Sequence, residues 1–352
     1  MELMKYRLSV LLSVFFLSGC SGYLDTRPSD GLGYGDAVRS EEDLLTALRG
    51  AYSGLVSADY YGAGFIVYGD VKGDDAQARI AGQRTDGAYR FSWREVNSPE
   101  GLWRSPYEVI RSANFVLESA DRGDAGRSAA VGDMKGQALA LRGLCHFNLL
   151  LLYGQPYLKD GGKSEGVPLV REVLNAGALP RRSSVGAGYG MVKGDLREAL
   201  SLTSEERKDS YINRWAVKGL LARVSLYEGS WDSCFYYASD VIEHGPYELV
   251  GRKDYVGSWK EAYTSESVFD AAVSPESSTN KELLGYLASA SGYNCLVATA
   301  SFKTLLDEDP NDVRHGLLTK RGGYWFINKY PGRGADPSGG DGRESEFQRT
   351  SE

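Results

Sequence analysis

The stretch from Val131 to Tyr153 limits what this chain can fold into more than any other segment. Read at 3.6 residues per turn, Leu139, Leu141, Leu144, Cys145, Phe147, Leu149, Leu150 and Leu152 cover nearly the whole circumference of a helix. A helix apolar on all sides must be surrounded by other elements. Gly154 can leave the helix and Pro156 cannot continue it, so the segment stops there.

The flanking sequence offers the surrounding helices. Ser40-Glu-Glu-Asp43 puts a capping hydroxyl and first-turn acids ahead of Leu44, Leu45, Leu48, Tyr52 and Leu55 at helical spacing. Ser98-Pro99-Glu100 is expected to cap a second helix bearing Leu102, Trp103, Tyr107, Ile110, Phe115 and Leu117. Further helical patterns run over Tyr189 to Leu202, Arg214 to Tyr227 and Trp231 to His244. The last two are joined at Gly229-Ser230-Trp231, carry small residues at Ala216, Gly219 and Ala222, and close at Pro246. That order resembles a tetratricopeptide hairpin of about 34 residues. Residues 154 to 188 are loop-rich, and Glu266 to Ala272 and Gly323 to Lys329 alternate like short strands. The expected fold class is therefore mainly α, a tetratricopeptide-like scaffold of helical hairpins with irregular loops and a few short strands.

The N-terminus reads as an address. Lys5 and Arg7 precede an apolar run from Leu8 to Leu17, too short to span a bilayer core of about 30 Å. Its length suits the core of a cleavable signal. Leu17-Ser18-Gly19-Cys20 resembles the bacterial lipobox, which predicts a signal peptide over 1–19, lipid attachment at Cys20 and a tether over 20–36. At about 0.8 kcal/mol per buried CH₂, two or more acyl chains hold a protein on a membrane without a spanning helix. After Lys329-Tyr-Pro-Gly332, residues 333–352 contain little apolar beyond Phe347 and are expected to be disordered.

Net charge is −7, the wrong sign for a nucleic-acid partner. Cys145, Cys234 and Cys295 sit among apolar or aromatic neighbours with no CxxC pair, and are read as three buried, reduced core cysteines; a disulfide plus one free thiol is the alternative. Tyrosine outnumbers phenylalanine, 23 to 11. A phenol joins a flat apolar face to a polar tip, useful against sugars, although most of the 23 are expected to fill half-wet helix interfaces.

Signals for catalysis are missing. His146 falls inside the buried segment and reads as a core residue, and His244 as a cation at a helix end. No HExxH, no GxSxG elbow and no phosphate loop occurs, and no cofactor is expected. Asp307-Glu-Asp309-Pro-Asn311 resembles the start of a calcium loop but has Asp312 where glycine is needed and Leu318 where glutamate is needed. Adjacent acids such as Asp74-Asp75 are inevitable among 47 carboxylates and carry no weight as a glycosidase pair.

Several segments together resemble the SusD/RagB family of nutrient-binding surface lipoproteins. They are Cys20-Ser-Gly-Tyr-Leu24-Asp25-Thr-Arg-Pro28, the helix from Leu102-Trp103 through Tyr107 and Ile110 to Asn114, and Gly136 to Gly154 with Arg142 and Phe147. Arg214 to Val250 and Lys329-Tyr-Pro-Gly332 follow in the family's order. The resemblance implies a helical domain over 37–332 with a loop-rich ligand-binding part. It also implies capture of an oligosaccharide, or less often a peptide, for a SusC-like TonB-dependent barrel, on the outward face of the outer membrane. Rings that could stack on sugar are Tyr60, Tyr61, Tyr89 and Trp93 with Asn97 beside them, then Tyr286 and Tyr293. Members of the family usually continue past the KYPG-like motif into further helices, so the chain is expected to be a C-terminally truncated member. The competing expectations are a lipid-anchored glycan hydrolase and a tetratricopeptide-type assembly protein without a small ligand.

Overall fold

The computed structural model describes residues 37–330 apart from 83, 262, 272–283 and 291, and for Asn97 the backbone alone. The signal peptide, Cys20, the tether and the 333–352 tail lie outside the described residues.

Helix α1 (Glu41–Leu55) starts where the sequence places it: the Ser40 hydroxyl accepts from the Asp43 amide. α2 (Gly64–Asp70), strand β1 (Ala76–Ala78) and the short α3 (Asp86–Tyr89) follow, and then a 3-10 turn at Glu95–Asn97. α4 (Glu100–Arg122) is capped by Pro99, not by the expected Ser98, whose hydroxyl donates to the Glu95 carbonyl and tightens the preceding turn. α5 (Ala129–Tyr153) is the all-round apolar segment, with Ser128 as its cap and an unbroken buried run from Gly136 to Leu150. β2 (Glu165–Pro168) and β3 (Arg182–Ser184) pair antiparallel in the loop-rich stretch. α6 (Val185–Leu202) begins one turn earlier than the pattern from Tyr189 indicates, because Ser184 caps it and glycines hide its first turn.

α7 (Arg214–Glu228) and α8 (Trp231–His244) form the expected hairpin, with Gly229 left-handed between them. α8 buries none of its residues fully, and Phe235 on its outer face is 75% exposed. α9 (Tyr255–Ser258), α10 (Leu284–Ala288), β4 (Leu296–Ala298), α11 (Ala300–Leu306), β5 (Leu318–Arg321) and β6 (Tyr324–Ile327) complete the described chain. β1, β4, β6 and β5 lie in that order in one antiparallel sheet, with Ala76 opposite Ala298 and Val297 opposite Phe326. Of the two predicted strand segments, only Gly323 to Lys329 contains a strand, β6. Residues 266–271 form no strand beyond an isolated β-bridge at Asp270, and Ala272 lies outside the described residues.

The main core is helical. α5 packs on α1, α4 and α6, and Leu141, Leu144, Phe147, Leu149 and Leu150 are at most 2% exposed. Each such side chain contributes about 1.5–3 kcal/mol on leaving water. His146 is buried as expected, and so are Cys145 and Cys295. Cys234 departs from expectation: it is half-buried, because α8 is covered on one side only. None of these three cysteines is paired. A second, smaller core joins Ala63, Val67 and Val71 to Leu284, Leu287, Cys295 and Leu296, and so ties α2 to the sheet.

Candidate functional site

A cleft of 810 Å³ opens between the α1–α2 turn, α2, the loop around α3 and the start of α4. The turn that forms its floor is backbone-tight. A Cβ at Gly64 would lie 2.4 Å from the Asp59 carbonyl oxygen, and one at Gly101 would lie 2.5 Å from Asp59 Cγ. Glycine at these two positions lets Asp59 sit against the first turn of α4, where Arg104 Nη2 donates to its Oδ2 at 3.1 Å. Ser57 Oγ on the same wall is shielded from solvent and has no hydrogen-bond partner among the described residues.

Aromatic rings make the other wall. Trp93 lines the cleft and remains 40% exposed. Its ring centre is 6.2 Å from that of Tyr68, which projects from α2. Phe91, which does not itself line the cleft, touches Trp93 with ring centres 5.4 Å apart and planes turned by 83°. Lys72 Nζ rests 3.9 Å over the Tyr68 ring. Polar groups meet these rings from the loop. Asp86 accepts from the Gly82 amide at 2.8 Å and from Arg90 Nε at 2.5 Å, and the Gly82 amide first, then Arg90, hold its carboxyl below the usual carboxylate range.

The loop is pinned to the sheet side by side chains of different kinds. The buried Thr85 hydroxyl donates to the Cys295 carbonyl at 3.1 Å, and Arg79 Nε to the Asn294 carbonyl at 2.7 Å. The Arg84 guanidinium lies 3.9 Å over the Tyr293 ring. A second cleft of 660 Å³ lies across α2, lined by Tyr255, Trp259 and Tyr330 with Lys72 and Lys329; Tyr68 borders both clefts.

The predicted site residues separate on this geometry. Trp93 is a wall of the first cleft. Tyr61 does not line the first cleft: it borders the second and is 3% exposed, with Tyr60 and Phe65 packed on it and Asn148 Nδ2 donating to its hydroxyl at 2.9 Å. Tyr60 is fully buried beside it, and its hydroxyl also accepts from Asn148. Tyr89 turns away from the cleft and packs half-buried on the smaller core, because it falls on the inner side of α3. Tyr293 packs there too, edge-on to Tyr286 at 4.9 Å, and reaches the cleft only through Arg84. The Asn97 backbone belongs to the 3-10 turn before α4.

Tyr68, Asp59, Ser57, Arg84 and Asp86 were not foreseen. Tyr68 sits in a seven-residue helix, too short to show a helical period, and the polar residues gather only through the fold. Among the described residues no group of three histidine, cysteine or acidic side chains could hold a metal ion. No helix among them is long and apolar enough to cross a membrane.

Comparison with known proteins places this architecture. The sequence model of a SusD-like family, described as starch-binding associating with outer membrane, matches residues 22–226. The SusD-like protein P25 of Formosa agariphila is 23% identical over 269 residues, covering 73% of this chain. The chain spans 49% of that relative's length. A solved SusD superfamily protein from Bacteroides thetaiotaomicron superimposes with a TM-score of 0.79 at 33% identity, covering 85% of this chain and 71% of that one. A laminarin-binding SusD-like protein shares the fold, with a TM-score of 0.71 at 18% identity, over 84% of this chain and 73% of its own.

Proposed function

The chain belongs to the SusD-like family, and from that premise we propose that it binds an oligosaccharide in the cleft walled by Trp93 and Tyr68. The observation that carries this reading is the composition of that cleft. An exposed indole and a phenol stand beside the carboxylates of Asp59 and Asp86. Aromatic faces take the C–H face of a sugar ring, and hydrogen-bonding groups at the edge take its hydroxyls.

Binding without cleavage is the better fit to these acids. A glycosidase needs a carboxyl with a raised pKa as proton donor. Asp86 is held in its ionised form and Asp59 is paired with Arg104. The protein is lipid-anchored through Cys20 on the outward face of the outer membrane. There it hands its ligand to a SusC-like TonB-dependent barrel. The lipobox and the family's association with the outer membrane support this location.

Calorimetric titration of the protein with maltohexaose, laminarihexaose, cellohexaose, xylohexaose and mannohexaose tests the reading, with chromatography of the same mixtures. Heat of binding without product is expected for at least one. Released sugar would support the hydrolase instead, and no heat with any of the five would remove the glycan reading.

A further inference from the structure

α3 closes in a double turn in which the Ser92 amide donates to the Gly87 carbonyl at 2.9 Å and the Phe91 amide to Ala88 at 3.2 Å. This Schellman closure needs its penultimate residue left-handed, and Phe91 has φ of +53°. Glycine is the favoured residue there, since any Cβ crowds the neighbouring backbone in that conformation. The chain carries a phenylalanine instead. An aromatic side chain at positive φ is unfavourable, so something other than the helix end must account for it.

Packing does not account for it. The apolar contact that accompanies such closures comes from the following residue, here Ser92, which has no apolar side chain to offer. The Phe91 ring is 59% exposed and touches Trp93 at a right angle. Trp93 in turn faces the cleft. Phe91 does not itself line the cleft, but its exposed ring stands perpendicular to the ring of Trp93, which does.

We infer that Phe91 is a ligand-contacting residue, which grips a pyranose unit between its ring and that of Trp93. A single stacked ring leaves a sugar free to slide and turn on its face. Two perpendicular walls touch a face and a side of the same unit at once, and so orient the glycan chain as it enters the cleft. This inference rests on the reading of the cleft as a glycan site.

Three variants of the whole chain test it: Phe91→Gly, Phe91→Ala and Phe91→Trp, each measured by thermal melting and by titration with the hexaose that the wild type binds most tightly among the five named above. In Phe91→Gly, affinity is expected to fall by about fivefold or more while the melting temperature stays level or rises. Phe91→Ala should lose the same affinity without the gain in melting temperature. Phe91→Trp should bind within about twofold of wild type. Phe91→Gly that keeps its affinity, or that melts lower than wild type, overturns the inference while the glycan reading stands. A wild type that binds none of the five overturns the reading and the inference together.

Discussion

Arg142 and Asp195 join α5 to α6 by two parallel hydrogen bonds, Nε to Oδ2 at 2.8 Å and Nη2 to Oδ1 at 2.7 Å, with both side chains about nine-tenths buried. Arg142 Nη1 also donates to Asn114 Oδ1 at 2.9 Å and to the Arg171 carbonyl at 3.1 Å. One guanidinium thus connects α4, α5, α6 and the loop after β2. Removing it leaves Asp195 buried without its counter-charge. Arg142→Ala should therefore lose about 3–5 kcal/mol in urea unfolding. The double change Arg142→Met with Asp195→Leu should recover most of that, since no charge stays unpaired.

His146 reads the acidity of the solution through folding. Its Nε2 accepts from the Val170 amide at 3.1 Å, so the proton sits on Nδ1 and is donated to the Arg142 carbonyl at 2.9 Å. Burial lowers its pKa from 6.5 to about 4 in the folded state. The unfolded chain takes up a proton below about pH 6.5 that the folded chain refuses until about pH 4. Stability is thus full above pH 6.5 and falls as pH drops toward 4, by about 3 kcal/mol from this residue. His146→Gln should flatten that part of the stability profile, measured by urea unfolding at stepped pH.

Trp93 offers its ring to the cleft rather than to the core. Trp93→Ala should weaken oligosaccharide binding by about tenfold, equivalent to about 1.4 kcal/mol. Its melting temperature should move little, since the indole is only partly buried. Tyr61→Ala should show the opposite pattern, a loss of stability of about 3–5 kcal/mol as expected for emptying a buried aromatic site. Calorimetry and melting curves on the same two variants separate the roles.

Gly136 marks the closest approach of α5 to the end of α6. A Cβ there would lie 2.8 Å from Thr203 Cγ2 and 2.9 Å from Leu202 Cβ, atoms with little room to move. Gly136→Ala should cost about 1–3 kcal/mol through overpacking, despite alanine's better helix propensity. A melting temperature at or above wild type would contradict the geometry.

The cysteines should divide by exposure. Burial pushes the Cys145 thiol up to about 12, and Cys295 is equally enclosed, whereas Cys234 is half-buried. Brief iodoacetamide treatment of the native protein, followed by peptide mass mapping, should alkylate Cys234 well before Cys145 or Cys295.

Much of the scaffold is legible along the chain because its helices are long. The Ser40 cap, the enclosure of α5 and the limits of α8 at Trp231 and His244 follow from capping chemistry and a 3.6-residue period, both local properties. α2 and α3 span seven and four residues, too few for a period to emerge, and they are the elements that build the cleft. β1 finds its partner β4 more than two hundred residues later, a pairing that no local pattern announces.

Residue type settled even less about the site. Tyr61, Tyr89 and Trp93 are alike as candidates in the sequence, yet one is buried in the main core, one packs on the smaller core and one walls the cleft. The difference lies in which way each backbone position faces once α2, α3 and α4 are packed. The sequence by itself determined the helical class and the buried central helix, since each depends on neighbours a few residues apart. Only the tertiary structure decided which rings are buried, which one lines the cleft, and that Asp59, Asp86 and Ser57 converge beside Trp93. That convergence depends on contacts between segments far apart in the chain, and burial is a property of the packed whole.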